Sequence, residues 1–126
     1  EIDEIGDAPG PGNAVSIDLQ FEHVTEVFTG FGARGVPAET VAQRTLDQAQ
    51  HYLDAGVPVG EHLADQLLLP LGIGAHQGSG GGAFRTLPLS SHSLTHIQVL
   101  KTFLNVTISV EAEPSGCLVR VGPSGE

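Results

Sequence analysis

Apolar and polar positions alternate most cleanly along 14-AVSIDLQFE-22. Val15, Ile17, Leu19 and Phe21 fall on one side, and Ser16, Asp18, Gln20 and Glu22 on the other, as in a strand buried on one face. His23 to Thr29 predicts a second strand, or a continuation of the first past a bend. The glycines of 30-GFGARGV-36 predict a turn. From Pro37 the period lengthens to that of a helix. Ala38, Val41, Ala42, Leu46, Ala49, Tyr52 and Leu53 recur at helical spacing, with Glu39, Arg44, Asp47, Gln48 and His51 elsewhere on the wheel. Gly56 supplies a C-terminal stop, and Pro58 lies just beyond it.

After Gly56 the texture changes. The stretch 59-VGEHLADQLLLPLGIG-74 predicts a helix apolar nearly all round, hence mostly buried, and limited by Pro70 and Gly72. Residues 74–82 read as a loop and 83-AFRTLPL-89 as a short strand. Ser90 or Ser91 can cap a helix through 92-HSLTHIQVLKTFL-104, with Leu94, Ile97, Leu100 (or Val99) and Leu104 inward. The apolar runs at 105–113 and 117–122 flank 114-PSG-116 and predict a hairpin. Residues 1–13, acidic and rich in Gly and Pro, read as loop or linker. The order of elements indicates an α/β (α+β) fold with a boundary near residue 56 and no internal repeat.

Composition narrows the function classes. Hydrophobic residues make up 40% of the chain, enough for a folded core. Cys117 is the single cysteine, which excludes an internal disulfide and a Cys-based zinc site. A reducing compartment is the natural expectation, with Cys117 as a core filler on the hairpin. No apolar run reaches the ~18 residues of a membrane span, and no secretory leader is evident. Fifteen acidic residues against five basic ones, a net charge of −10, disfavour nucleic-acid binding by this chain alone. The chain begins at Glu1 rather than Met, which suggests a processed chain or a piece of a longer protein.

Two groups of residues could carry chemistry. His62, Asp65 and Gln66 share one face of the apolar helix, either as its solvated stripe or as the wall of a polar pocket. His92 and His96 stand one helical turn apart in 90-SSHSLTHI-97. His92 falls in the first turn, where free N–H groups and the helix dipole attract anions. It could simply hydrogen-bond at the helix end, or serve as a covalent nucleophile beside a bound phosphate. A metal clip made of both histidines is the weaker reading. Ser93 stands where a metalloprotease helix needs Glu, and a third ligand would have to come from His62 or His76. The glycines of 78-GSGGG-82 do not match a phosphate loop, and no nucleophile elbow is present.

Three stretches together, 10-GPGNAVSIDL-19, 59-VGEHLADQLLLPL-71 with its Gly-rich sequel, and 91-SHSLTHIQVLKTFL-104, resemble the C-terminal part of RNA 3′-terminal phosphate cyclases. The likeness runs from about Gly10 to about Val121. It implies an ATP-dependent enzyme in which a histidine takes AMP and passes it to an RNA 3′-phosphate. The 2′-hydroxyl then closes a 2′,3′-cyclic phosphate and expels AMP, with Mg²⁺ or another divalent metal assisting. On this resemblance His92 is the catalytic nucleophile, and His62, Asp65 and Gln66 join it in holding the nucleotide. Two positions depart from the family pattern: His62, where Tyr is common, and His96, where Asn stands.

The resemblance also implies an architecture: residues 1–56 as the tail of an inserted α/β domain, and residues 57–126 as the last portion of a core of repeated α/β units. The RNA 3′-phosphate end would then be gripped mainly by an N-terminal part not in this chain, and the isolated piece would be inactive. A cytoplasmic enzyme with no membrane or DNA partner is expected. The competing reading is a noncatalytic ribosome-assembly scaffold of the same fold, against which the presence of His92 counts. An enolpyruvyl transferase would want more Lys and Arg than the five here.

Overall fold

The computed structural model describes residues 2–7, 9–10 and 12–125. The loop expected over residues 1–13 includes three positions outside that set, and its described residues form no helix or strand. Strands β1 (Ala14–Gln20) and β2 (Thr25–Phe31) pair antiparallel, with Ile17 opposite Phe28 and Leu19 opposite Glu26. A tight turn, Phe21 N–H to Val24 O at 2.9 Å, joins them. The first strand is therefore shorter than its alternation suggests. Phe21 leaves the ladder and meets the Tyr52 ring edge-on, with centroids 6.1 Å apart.

Gly30 does not open the turn. β2 continues through it to Phe31, and the chain reverses later, at Gly35, whose φ is +80°. Gly30 is required for space: a Cβ there would strike Thr45 on the helix lying against this sheet.

That helix is α1 (Ala38–Ala55), ended by Gly56 in the left-handed conformation. Its buried stripe is Val41, Thr45, Ala49 and Tyr52. Leu46 and Leu53, expected inward, are exposed, and Thr45 takes the inner place. Burying that hydroxyl is tolerable because it donates to the Val41 carbonyl at 2.9 Å. Phe28, Ala49, Tyr52 and Leu87 form the core of this first unit.

Helix α2 (Glu61–His76) contradicts the limits expected at Pro70 and Gly72, because it runs through both. Proline removes one donor, so the Gln66 carbonyl loses its helical partner. Gln66 and Pro70 both lie on the exposed side, where water can replace that bond. Nor is the helix buried all round. Ala64, Leu68, Gly72 and Ala75 are buried, whereas Leu69 and Ile73 are exposed.

Strand β3 (Gly82–Thr86) leads to α3 (Ser91–Phe103), followed by the hairpin of β4 (Val106–Glu113) and β5 (Gly116–Pro123) about Pro114 and Ser115. β5 is central, antiparallel to both β3 and β4. Val59 adds a single parallel bridge to Thr86, so the chain entering α2 touches the far edge of this sheet. The second core packs Ala64 and Leu68 of α2 and Ile97 and Leu100 of α3 on Phe84, Ile108, Val119 and Val121. In α3 the buried positions are Ser93, Ile97 and Leu100, with Leu104 packed alongside; Leu94, expected inward, is about half exposed. Cys117 sits in this core as expected, and burial pushes its thiol pKa up. The fold is thus α/β with antiparallel sheets. Among the described residues no helix is long and apolar enough to cross a membrane.

Candidate active site

The site lies where the two units meet, and one buried carboxylate fixes that meeting. Glu26, on the inner face of β2, is 5% exposed. Its Oε1 accepts a hydrogen bond at 2.6 Å from the N–H of Gly60, the residue that opens α2. A negative group is favoured there, because a helix N-terminus carries unpaired N–H groups and a partial positive charge. Gly60 has ordinary φ; it is glycine because a Cβ would come within 2.6 Å of the Glu26 carboxylate. Tyr52 Oη donates to the Pro58 carbonyl at 3.2 Å, tying α1 to the same junction. Burial, aided by the Glu26 charge, pushes the Tyr52 phenol above its usual pKa.

With the junction held, the first turns of α2 face the outer side of β2 across an open cavity of about 660 Å³. His62, Asp65 and Gln66 line one wall, Val27 and Phe31 the opposite one, and Ser90 and His92 the end. All four residues singled out from sequence, His62, Asp65, Gln66 and His92, thus share one cavity. Among the described residues that line it, none is Lys or Arg. A second cavity, about 470 Å³, lies by Phe21, Tyr52 and Pro58 and contains none of the four.

His92 owes its position to the start of α3. Ser90 is the N-cap, its Oγ accepting from the Ser93 N–H at 3.2 Å, which decides between Ser90 and Ser91. The N–H groups of Ser91 and His92 then have no acceptor within the helix and remain available to an anion. The His92 side chain is 80% exposed, and its Nε2 stands 3.3 Å from Asp65 Oδ2.

The other oxygen of the same carboxylate is held by His96, whose Nδ1 lies 3.0 Å from Asp65 Oδ1 in hydrogen-bonding geometry. The His96 side chain is only 24% exposed. Sequence spacing placed the histidines one turn apart but could not show that Asp65, on another helix, stands before both. Among the described residues no group of three His, Cys, Asp or Glu side chains is arranged to hold a metal. His76, offered as a third ligand, instead accepts at Nδ1 from the Asn105 N–H at 3.1 Å, at the far end of α2.

A family model described as RNA 3′-terminal phosphate cyclase matches residues 2–110, and the chain belongs to that family. It is 48% identical over 120 residues to an RNA 3′-terminal phosphate cyclase of Ralstonia nicotianae, covering 95% of this chain and 33% of the relative. It is 49% identical over 112 residues to that of Salmonella typhimurium (89% of this chain, 32% of the relative). It is 47% identical over 105 residues to that of Pseudomonas fluorescens (83% and 29%). The chain spans about a third of the length of these curated relatives.

Proposed function

We propose that the complete protein to which this chain belongs converts an RNA 3′-terminal phosphate to a 2′,3′-cyclic phosphodiester at the expense of ATP, with His92 as the residue that carries AMP. The observation that carries this reading is an exposed imidazole at the open first turn of α3, beside a carboxylate, at the end of a cavity.

In the first step a ring nitrogen of His92 attacks the α-phosphorus of ATP. An N–P bond forms, the bond to the bridging oxygen breaks, and pyrophosphate leaves. The free N–H groups of α3 suit the phosphate being transferred, and Asp65 can balance the positive charge the ring acquires. His62 and Gln66 line the same wall and are assigned to the nucleoside. In the second step an oxygen of the RNA 3′-phosphate attacks the same phosphorus and displaces His92. In the third the adjacent 2′-hydroxyl closes on the activated phosphate and AMP departs.

Mg²⁺ commonly binds through substrate phosphates with one or two carboxylates. Among the described residues the cavity lining offers Glu61 and Asp65 alone as carboxylates, and Asp65 is engaged by two histidines, so this donor set is a poor fit for a metal. The ion is assigned to the nucleotide phosphates and to the rest of the protein.

The same reading makes residues 57–126 the end of the catalytic core and residues 1–56 the tail of an inserted domain. Among the described residues the lining has no Lys or Arg to hold RNA, so the RNA end is assigned mainly to the part of the protein outside this chain, without which the chain is inactive. The enzyme is placed in the cytoplasm. A noncatalytic ribosome-assembly scaffold is the alternative.

The test is to incubate the complete protein with ATP, Mg²⁺ and an RNA ending in 3′-phosphate. ATP-dependent conversion of that end to a phosphatase-resistant cyclic phosphate supports the enzyme. No conversion, together with stable association with ribosomal precursors, supports the scaffold.

A further inference from the structure

The Asp65 carboxylate has two oxygens and two imidazole partners, both from α3. His96 Nδ1 holds Oδ1 at 3.0 Å, and His92 Nε2 approaches Oδ2 at 3.3 Å. The partners differ in environment. The His92 side chain is 80% exposed and free to meet a ligand, whereas His96 is 24% exposed and Asp65 26%. A half-buried carboxylate held by one fixed hydrogen bond keeps its second oxygen in one place. His96 also rides on the same rigid turn of α3 as His92, so it registers that oxygen against the His92 ring.

The geometry points to His96 as a positioning residue: it orients Asp65 so that the carboxylate faces the imidazole of His92. This inference rests on the proposed role of His92 and deepens it. His96 touches no reacting atom. Its contribution is to keep Asp65 from turning away when the His92 ring swings to a phosphate, in the way that a nucleophile's partner is itself held by a third group.

The requirement is one N–H donor at the position of Nδ1. An asparagine amide can supply that donor, whereas leucine fills the space without it. Two readouts on the complete protein separate the possibilities. The first is the single-turnover rate of AMP transfer from α-labelled ATP to protein, measured against ATP concentration. His96→Leu should slow the maximal rate roughly tenfold, the order of a lost hydrogen bond to a charged group, with little change in the half-saturating ATP concentration. His96→Asn should restore the rate to within about twofold. The second readout needs no activity: ring nitrogen chemical shifts of His92 in the ligand-free protein. These should move in His96→Leu and return in His96→Asn.

Wild-type rate and shifts in His96→Leu would overturn the inference. So would equal impairment of the Leu and Asn variants, which marks a packing role. If the wild type never takes up label, the proposed function fails. The nitrogen shifts then still decide whether His96 positions Asp65 against His92.

Discussion

Asp65 and His92, on different helices, meet with a carboxylate oxygen 3.3 Å from a ring nitrogen in the lining of the cavity. Neither element makes this contact alone: α2 supplies the carboxylate from its first turns and α3 the imidazole from its first. Replacing Asp65 by Asn keeps the shape and removes the charge that would balance a charged His92 ring. AMP transfer to the protein should fall by roughly tenfold to a hundredfold, the range for a hydrogen bond to a charged group, with the fold retained. Single-turnover labelling of Asp65→Asn measures it, and an unchanged rate would remove Asp65 from the chemistry.

A buried hydrogen bond from the Gly60 N–H to Glu26 ties the two units together. Glu26→Ala would leave the Gly60 N–H without its acceptor in a buried setting. The cost should be about 2 kcal/mol, read as a lowered denaturation midpoint. Glu26→Gln keeps an acceptor oxygen and should lose less. Equal losses in both variants would show that the charge at the start of α2 matters more than the hydrogen bond.

Ser90 should matter out of proportion to its size. Its side chain caps α3, so Ser90→Ala should cost about 1 kcal/mol. It also loosens the turn that carries His92. Faster amide hydrogen exchange at Ser93 would confirm the cap; exchange as in the wild type would deny it.

Tyr52 predicts an alkaline sensitivity. Its folded pKa is raised above the ordinary 10.0 by burial and by the Glu26 charge. As pH climbs past that ordinary value, the unfolded chain ionises first. The contribution of Tyr52 to stability is therefore complete below the unfolded pKa and is lost as pH rises through the folded one. Denaturation curves at several alkaline pH values should show the wild type losing stability faster than Tyr52→Phe. Parallel losses would mean that Tyr52 is not shielded.

Much of the fold was legible from periodicity, because most elements bury only one side. β1, α1 and the β4–β5 hairpin form where their apolar patterns place them, although Phe21, Leu46, Leu53 and Val110 stay exposed. Sequence and structure part where a local rule meets a tertiary fact. Pro70 predicts a helix end, yet its exposed side lets water replace the missing bond. Gly30 predicts a turn, yet it serves the close approach of Thr45. Leu46 has the spacing of a core residue, yet Thr45 satisfies its own hydroxyl and takes the inner place. At the candidate site, the grouping of His62, Asp65 and Gln66 followed from helical spacing. The approach of Asp65 to both histidines did not, because it depends on how α2 packs against α3. Glu26 gave no signal in sequence beyond a polar residue among β-formers. Its burial depends on the N-terminus of a helix 34 residues away.

The proposed function stands or falls on whether His92 carries AMP. The most direct measurement is peptide mass spectrometry of the complete protein after incubation with ATP and Mg²⁺, with no RNA present. An AMP adduct is expected on His92, labile to acid, stable to base, and absent from His92→Ala. An adduct that persists in His92→Ala, or that maps to another residue of the wild type, would contradict it.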